Sequence, residues 1–271
     1  MLFRSGAAVA VHDHHWLMRN IPEGANVTFA DVTSGSAVIG IMGPDSRALL
    51  SSIIDDDMSN EGFPFGTSRE ISMGYARVRA SRISYVGELG WELYVPTEYA
   101  RGVFDDIVAA GAEFGLKLVG MHAMDSLRIE KAYRHWGHDI TCEDTPLEAG
   151  LGFACKLAGN VPFTGRDALL RQKEEGVTKR LVQFALEDPE PLLYHNEVVY
   201  RDGERVGYLT SGNYGHHLGS AIGLGYVTCE AGVDADFVKT GAYEIEIAGM
   251  RHAAKASLRP MYDPKSERMK V

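Results

Sequence analysis

The sequence predicts an α+β protein in which a mixed α/β module precedes a small antiparallel β-barrel or sandwich. Up to about residue 177, Val- and Ile-rich stretches alternate with segments of helical periodicity. Beyond residue 178, strand-like stretches and tight turns follow one another. We therefore predict two domains, 1–177 and 178–271, in the chain of 271 residues.

The first module begins with strands and a short helix. Residues 26–43 alternate in polarity and are rich in Val and Ile, which is typical of strands. Gly43-Pro44-Asp45 then opens a helix that runs to Ile53, because proline is well tolerated in a first helical turn. The stretches 70–80 and 82–95 are predicted to be further strands.

Two more helices are predicted after these strands. Thr97 is a suitable N-cap for a helix in which the apolar residues of 103–114 recur at helical spacing. A third helix is predicted over 122–135, where Glu130 and Arg134 would form an i,i+4 pair. The β-α-β-β-α order lets two helices cover one face of a sheet.

The second module is predicted from its turns. Residues 138–175 are expected to be an irregular connection. Asp202-Gly203 separates two strand-like stretches and is typical of a two-residue hairpin turn. Ala248-Gly249 begins another hairpin. Hairpins without long helices favour a barrel or a sandwich.

Charge and cysteine usage argue against several function classes. A net charge of −10 repels a phosphate backbone, so we expect no nucleic-acid partner. No apolar run approaches the roughly 20 residues of a membrane span, so no membrane partner is expected. Cys142, Cys155 and Cys229 form no CxxC pair, which favours a reducing compartment and a cytoplasmic location.

One predicted strand carries an unexpected carboxylate. Ser84–Pro96 resembles a hairpin with a glycine-bracketed corner, and its second arm is apolar except for Glu92. Since neighbouring strand residues point to opposite faces, the apolar side chains can face a core while Glu92 faces water. Alternatively, Tyr85, Glu92 and Tyr94 line a pocket, where the carboxylate accepts two parallel hydrogen bonds. The residues alone leave both interpretations open.

Other titratable groups indicate no metal site. Consecutive histidines on a strand point to opposite faces, so His14-His15 and His216-His217 are poor candidates for sharing one ion. Asp125, Arg128 and Glu130 are interpreted as a solvated or salt-bridged helix face.

Six stretches in a fixed order carry a family resemblance. They are DVTSGSAVIGIMGPDSRALL (31–50), SYVGELGWELYVP (84–96), SLRIEKAYRHWGHDIT (126–141), TPLEAGLGF (145–153), FTGRDALL (163–170) and GYLTSGNYG…GSAIGLGYV (207–227). Together they resemble the glycine-cleavage T-protein family of folate-binding aminomethyltransferases. The resemblance is strongest to the C-terminal folate-binding region of dimethylglycine and sarcosine dehydrogenases, and it extends over residues 8–265.

The resemblance implies a fold and a folate site. It implies a ferredoxin-like first module within a T-protein-like three-domain ring, with tetrahydrofolate as the cofactor. In this family the strand after the Gly-Glu-x-Gly corner holds the pterin ring. The acid at the position of Glu92 binds the pterin N–H edge, and Tyr85, Leu93 and Tyr94 match neighbouring contact positions.

The resemblance also implies an N-terminally truncated chain. Family members carry a further segment ahead of the residues that match 1–10, and its aspartate is credited with assisting the folate nitrogen. We therefore expect the first domain to be incomplete, and the catalytic residue stays unknown.

Two departures indicate the dehydrogenase branch. Met124 and Leu89 stand where T-proteins carry an arginine and an aspartate. The resemblance then implies a domain that captures the one-carbon unit of an oxidised N-methyl amine as 5,10-methylenetetrahydrofolate. FAD is expected only in an upstream flavin domain, and a eukaryotic protein would lie in the mitochondrial matrix.

Two alternatives stay open at this point. One is a stand-alone T-protein-like aminomethyltransferase. The other is a non-catalytic folate-binding assembly factor, although the cysteine of that branch has no counterpart in residues 160–167.

Overall fold

A computed structural model describes residues 4–271, and residues 1–3, which open the predicted first domain, lie outside the described part. The described residues form two compact units. One comprises the described part of Met1–Ile83 together with Gly90–Leu116, and the other comprises Ser84–Leu89 and Lys117–Val271. The domain division at residue 177 stays a prediction.

The first unit is a four-stranded antiparallel sheet with α-helices. Its elements are α1 (Ala10–Arg19), β1 (Ser36–Met42), α2 (Ser46–Ile53), β2 (Ser68–Met73), β3 (Ala76–Ser81), β4 (Gly90–Pro96) and α3 (Ala100–Gly111). The strand order is β1-β4-β3-β2, so β4 is an interior strand. This arrangement agrees with the predicted mixed module.

The core of the first unit lies on one face of β4. Trp91, Leu93 and Val95 are fully buried there, and α2 and α3 pack against this strand. The rings of Phe63 and Trp91 meet edge to face at 6.1 Å. The strand therefore alternates as its sequence predicts, with the polar Glu92 on the opposite face.

Some local predictions for the first module are wrong. Residues 84–89 form no strand, because the Ser84 hydroxyl accepts the backbone N–H groups of Val86 and Gly87. β4 pairs instead with β1 and β3. Thr97 does not cap α3, since its hydroxyl donates to the Ser34 carbonyl and α3 begins at Ala100.

The second unit contains a closed antiparallel barrel. Its elements are α4 (Met121–Glu130), α5 (Arg166–Glu175), β5 (Lys179–Leu186), β6 (Val198–Arg201), β7 (Glu204–Gly215), β8 (Ser220–Thr228), α6 (Ala235–Thr240), β9 (Tyr243–Ile247) and β10 (Met250–Ser257). The six strands close in the order β10-β5-β8-β7-β6-β9. The predicted C-terminal barrel is confirmed.

Both predicted hairpin turns are present in the barrel. Asp202 and Gly203 have φ of 53° and 87°, and Ala248 and Gly249 have φ of 51° and 80°. Positive φ at both central residues matches the twist of the flanking strands. These turns set the register that places apolar side chains inside the barrel.

Two helix predictions for the second unit need correction. The helix predicted over 122–135 ends at Glu130, because the chain turns at Ala132 with φ of 53°. The expected Glu130–Arg134 pair is therefore absent from the described hydrogen bonds and ion pairs. The stretch 138–175, predicted to be irregular, contains the helix α5. Only one of the ten residues of α5, Leu169, is buried, so the helix has too weak an apolar stripe to be predicted from periodicity.

Candidate functional site

Glu92 lies on the face of β4 opposite the core of the first unit. Its side chain is 25% exposed, and one carboxylate oxygen accepts a hydrogen bond from Arg4 Nη1 at 2.8 Å. The same oxygen accepts the Tyr94 hydroxyl from two residues along the strand. The Arg4 guanidinium carbon lies 4.9 Å from the centre of the Tyr94 ring. This carboxylate thus holds a planar N–H group against an aromatic ring.

The strand next to Glu92 leaves the sheet face open. Gly40 is the β1 residue directly opposite Glu92, and Val38 is opposite Tyr94. A Cβ added at Gly40 would meet nothing closer than the Met42 methyl group at 3.8 Å. The space beside the carboxylate can therefore admit a flat group that lies on the strand.

Leu93 is not brought to this face. Its side chain is fully buried with those of Trp91 and Val95 on the core side of β4. Strand alternation is the signal that separates it from Glu92 and Tyr94. Leu93 can therefore meet a ligand on the open face only through its backbone.

Tyr85 belongs to the second unit, whereas the other three predicted site residues belong to the first. Its ring stacks on Tyr133 with centroids 6.2 Å apart and planes 8° apart. Its hydroxyl donates to the Arg134 carbonyl at 3.0 Å. Desolvation raises the pKa of Tyr85, which outweighs the opposing effect of the nearby Arg128 charge, so the phenol is neutral at physiological pH.

A buried polar network lies in the second unit, at the helix face interpreted above as solvated or salt-bridged; the face is salt-bridged and not solvated. Arg128 is fully buried and donates to Asp125 at 2.7 Å, to Ser211 at 2.8 Å and to the Tyr133 carbonyl at 3.0 Å. It also pairs with the buried carboxylate of Asp139. Because Ser211 lies 83 residues from Arg128 in the chain, no local sequence pattern could reveal the whole network.

Glu130, on the same helix, is not solvated either. It is buried, and its carboxylate accepts the backbone N–H groups of His217 and Leu218 as well as pairing with the His217 ring at 2.9 Å. Its role is therefore to hold the loop that follows β7.

The described residues contain no group of three or more His, Cys, Asp or Glu side chains placed to hold a metal ion. Of the two histidine pairs, His14-His15 lies on the helix α1 and not on a strand. His14 contacts the Phe29 ring at 5.1 Å. Within residues 4–271, no helix is long and apolar enough to cross a bilayer.

Comparison with known protein families identifies the class of this protein. Residues 1–159 match the GCVT N-terminal domain, and residues 179–263 match the glycine cleavage T-protein C-terminal barrel domain. The first match alone covers more than half of the chain. The chain belongs to the glycine cleavage T-protein family.

Individual relatives narrow this assignment. Mitochondrial sarcosine dehydrogenase of Homo sapiens is 41% identical over 268 residues, which is 98% of this chain and 29% of that protein. The 4-methylaminobutanoate oxidase (formaldehyde-forming) of Paenarthrobacter nicotinovorans is 44% identical over 255 residues, which is 93% of this chain and 30% of that protein. Mitochondrial dimethylglycine dehydrogenase of Homo sapiens is 34% identical over 263 residues, which is 96% of this chain and 30% of that protein. The chain spans about three tenths of the length of these curated relatives.

A solved structure has the same fold. The glycine cleavage system aminomethyltransferase T from Bartonella henselae superposes with a TM-score of 0.77 at 23% sequence identity, over 98% of this chain and 68% of that chain. This likeness confirms the expected combination of a mixed module and a barrel. The chain is thus a domain of the folate-binding aminomethyltransferase type, related to sarcosine and dimethylglycine dehydrogenases.

Proposed function

We propose that this chain binds tetrahydrofolate along β4 and receives the one-carbon unit of an oxidised N-methyl amine as 5,10-methylenetetrahydrofolate. The observation that carries the proposal is the half-buried Glu92 carboxylate beside the Tyr94 ring on an open strand face. Family membership supports the choice of ligand.

The residues present fit a pterin ring. A pterin edge offers adjacent N–H donors in one plane, as a guanidinium does, and Glu92 already accepts such a donor from Arg4. Gly40 leaves room for a flat ring beside the carboxylate. An open slot with one charged acceptor is a common way to orient a heterocycle.

The side chains around Glu92 have separate roles in this proposal. The Tyr94 hydroxyl holds the Glu92 carboxylate in one orientation, and its ring is a flat surface for the ligand. Tyr85 remains a folate contact proposed from the family resemblance alone, and its hydroxyl is already bound to the Arg134 carbonyl. Bound tetrahydrofolate supplies two nucleophilic nitrogens, and the chain orients them and excludes water.

The dehydrogenase branch is favoured over a stand-alone aminomethyltransferase. Met124 stands where the resemblance to T-proteins expects an arginine. Sarcosine, dimethylglycine and 4-methylaminobutanoate, the compounds in the names of three relatives, are all N-methyl amines. We therefore assign the amine and FAD to an upstream flavin domain of a longer protein, which would lie in the mitochondrial matrix of a eukaryote.

Calorimetric titration of the chain with 5-formyltetrahydrofolate tests the proposal. Glu92→Gln is expected to weaken binding roughly tenfold or more, because the ligand N–H donors lose a charged acceptor. Glu246→Gln is the matched control. Like Glu92, Glu246 accepts a tyrosine hydroxyl, that of Tyr200 at 2.9 Å, but it lies on a barrel strand. Equal affinity for Glu92→Gln and the wild type would refute the site. A folded wild-type chain that does not bind would refute the ligand.

A further inference from the structure

A groove of about 350 Å³ lies in the second unit, between the loop 147–153 and α5. Leu147 and Phe153 form apolar walls, while Lys173 and Arg180 contribute positive charge. The volume is at the lower end of the range for small-molecule pockets, roughly 300–1,000 Å³. None of the residues assigned to the folate site lines this groove.

The positive charge of the groove is not neutralised within its walls. None of its lining residues is an aspartate or a glutamate. Among residues 4–271, the Arg180 side chain forms no hydrogen bond and no ion pair, and its Nε atom is buried without a partner. The neighbouring Glu148 is already engaged by the Thr145 backbone N–H and the Gln172 amide. The terminal nitrogens of Arg180 thus have no partner among the described residues and can bind an anion in the groove.

A second guanidinium lies directly behind the groove wall. A Cβ added to the lining residue Gly150 would lie 2.8 Å from Arg134 Nη2. Arg134 donates to the carbonyls of Ala132 and Ala149 and forms no ion pair among the described residues. Desolvation lowers the pKa of Arg134, and the charge of Arg180 adds to this effect. Two arginines therefore share one region without a carboxylate bound to either.

We propose that this groove binds a small organic carboxylate, with the anion on Arg180 and an apolar body against Phe153. A guanidinium can bind a carboxylate in a bidentate arrangement through its two terminal nitrogens, and Arg180 lines the groove without an ion pair among residues 4–271. Phe153 is 87% exposed and offers an unoccupied ring face next to the charge. The apolar walls favour a carboxylate with an aryl or alkyl body over a bare inorganic ion.

Amide NMR of the ¹⁵N-labelled chain with benzoate as the probe tests the site. Benzoate should produce saturable shifts at the lining glycines Gly150, Gly152 and Gly176. Benzamide, which is neutral and of similar shape, should bind at least about tenfold more weakly, because it cannot form a charge-assisted pair. Inorganic phosphate tests the contribution of the apolar body and should also bind more weakly. Equal binding of benzoate and benzamide, or of benzoate and phosphate, would overturn the proposal.

Substitutions locate the charge that binds. Arg180→Gln should weaken benzoate binding about tenfold. Arg171→Gln is the matched control, since Arg171 is an exposed arginine of α5 outside the groove. If the amide spectrum shows that Arg180→Gln is misfolded, the variant Lys173→Gln, at an exposed residue of the groove, tests the site instead. It is expected to bind benzoate several-fold more weakly than the wild type. Unchanged benzoate affinity in the folded variant would refute the site.

Discussion

Arg128 and Asp139 form an ion pair in the interior of the second unit, with 1% and 0% of their side-chain surfaces exposed. Arg128 lies on α4, and its second terminal nitrogen donates to Ser211 on β7 at 2.8 Å. The other oxygen of Asp139 accepts the Thr210 hydroxyl at 2.6 Å. The pair thus joins the helix to the barrel, and each charge has partners in the interior.

Removal of one charge from this pair should destabilise the protein strongly. Asp139→Asn is expected to lower the free energy of unfolding by about 3–5 kcal/mol, because Arg128 would stay buried without its counter-charge. Urea unfolding monitored by circular dichroism measures the change. Asp105→Asn is the control, since Asp105 forms an exposed 3.7 Å pair with Arg101 and should cost about 1 kcal/mol or less. Similar losses in the two variants would contradict the prediction.

Gly87 should tolerate no side chain. It has φ of 79°, and an added Cβ would lie 2.1 Å from Cγ of the buried Lys131, whose ammonium group is held by Asp263. Gly137 has a similar φ of 90° but nothing within 4 Å of an added Cβ. Gly87→Ala should therefore be less stable than Gly137→Ala by about 1–3 kcal/mol, the usual range for overpacking. Equal melting curves for the two variants would show that Lys131 can move aside.

Asp144 should contribute to acid sensitivity. Desolvation raises its pKa, but hydrogen bonds from Lys179 and Thr141 outweigh this effect, so the pKa lies below its ordinary value. A lowered folded-state pKa stabilises the protein above the unfolded value of about 3.9, and this stability is lost as the pH falls through the folded-state pKa. At pH 7, Asp144→Asn should have a lower free energy of unfolding than the wild type. On acidification below about pH 4, its free energy of unfolding should fall by less than that of the wild type.

Denaturant unfolding at pH 7 and near pH 3 checks this prediction. Asp236→Asn, at an exposed aspartate of α6, is the control and should keep the acid sensitivity of the wild type. If the free energy of unfolding of Asp144→Asn fell between pH 7 and pH 3 by as much as that of the wild type, the assignment would be contradicted.

Arg4 should compete with the proposed ligand, because it occupies the Glu92 carboxylate at 2.8 Å. Both side chains are partly exposed, so the pair is worth only about 0.2–1 kcal/mol. Arg4→Gln should therefore tighten 5-formyltetrahydrofolate binding by up to about fivefold. Arg19→Gln, at the end of α1, is the control in the same titration. Weaker binding in Arg4→Gln would show instead that Arg4 supports the ligand.

Local patterns predicted those features that depend on neighbours in the chain. The alternation of Trp91 with Glu92 placed the apolar residues of β4 in the core. The Asp202-Gly203 turn predicted a hairpin, because positive φ at adjacent residues is available to few residue types. The resemblance of six stretches predicted the family, which the domain matches confirm.

Buried charge could not be predicted in this way. Arg128 and Glu130 have the composition of an exposed helix face, and their burial depends on Ser211 and His217, more than 80 residues away. Nor did the sequence separate Tyr85 from Glu92, which lie in different units. The contacts of Tyr85 in the folded chain place it with Tyr133.

By itself, the sequence determined the class of fold, the two kinds of module and the strand that carries Glu92, because periodicity and turn chemistry act over a few residues. Only the tertiary structure decided which charges are buried and paired and which, like Arg180, are left without an acceptor. The physical reason is that the free energy of a charge depends on its exposure and on partners brought close by the fold rather than by the chain.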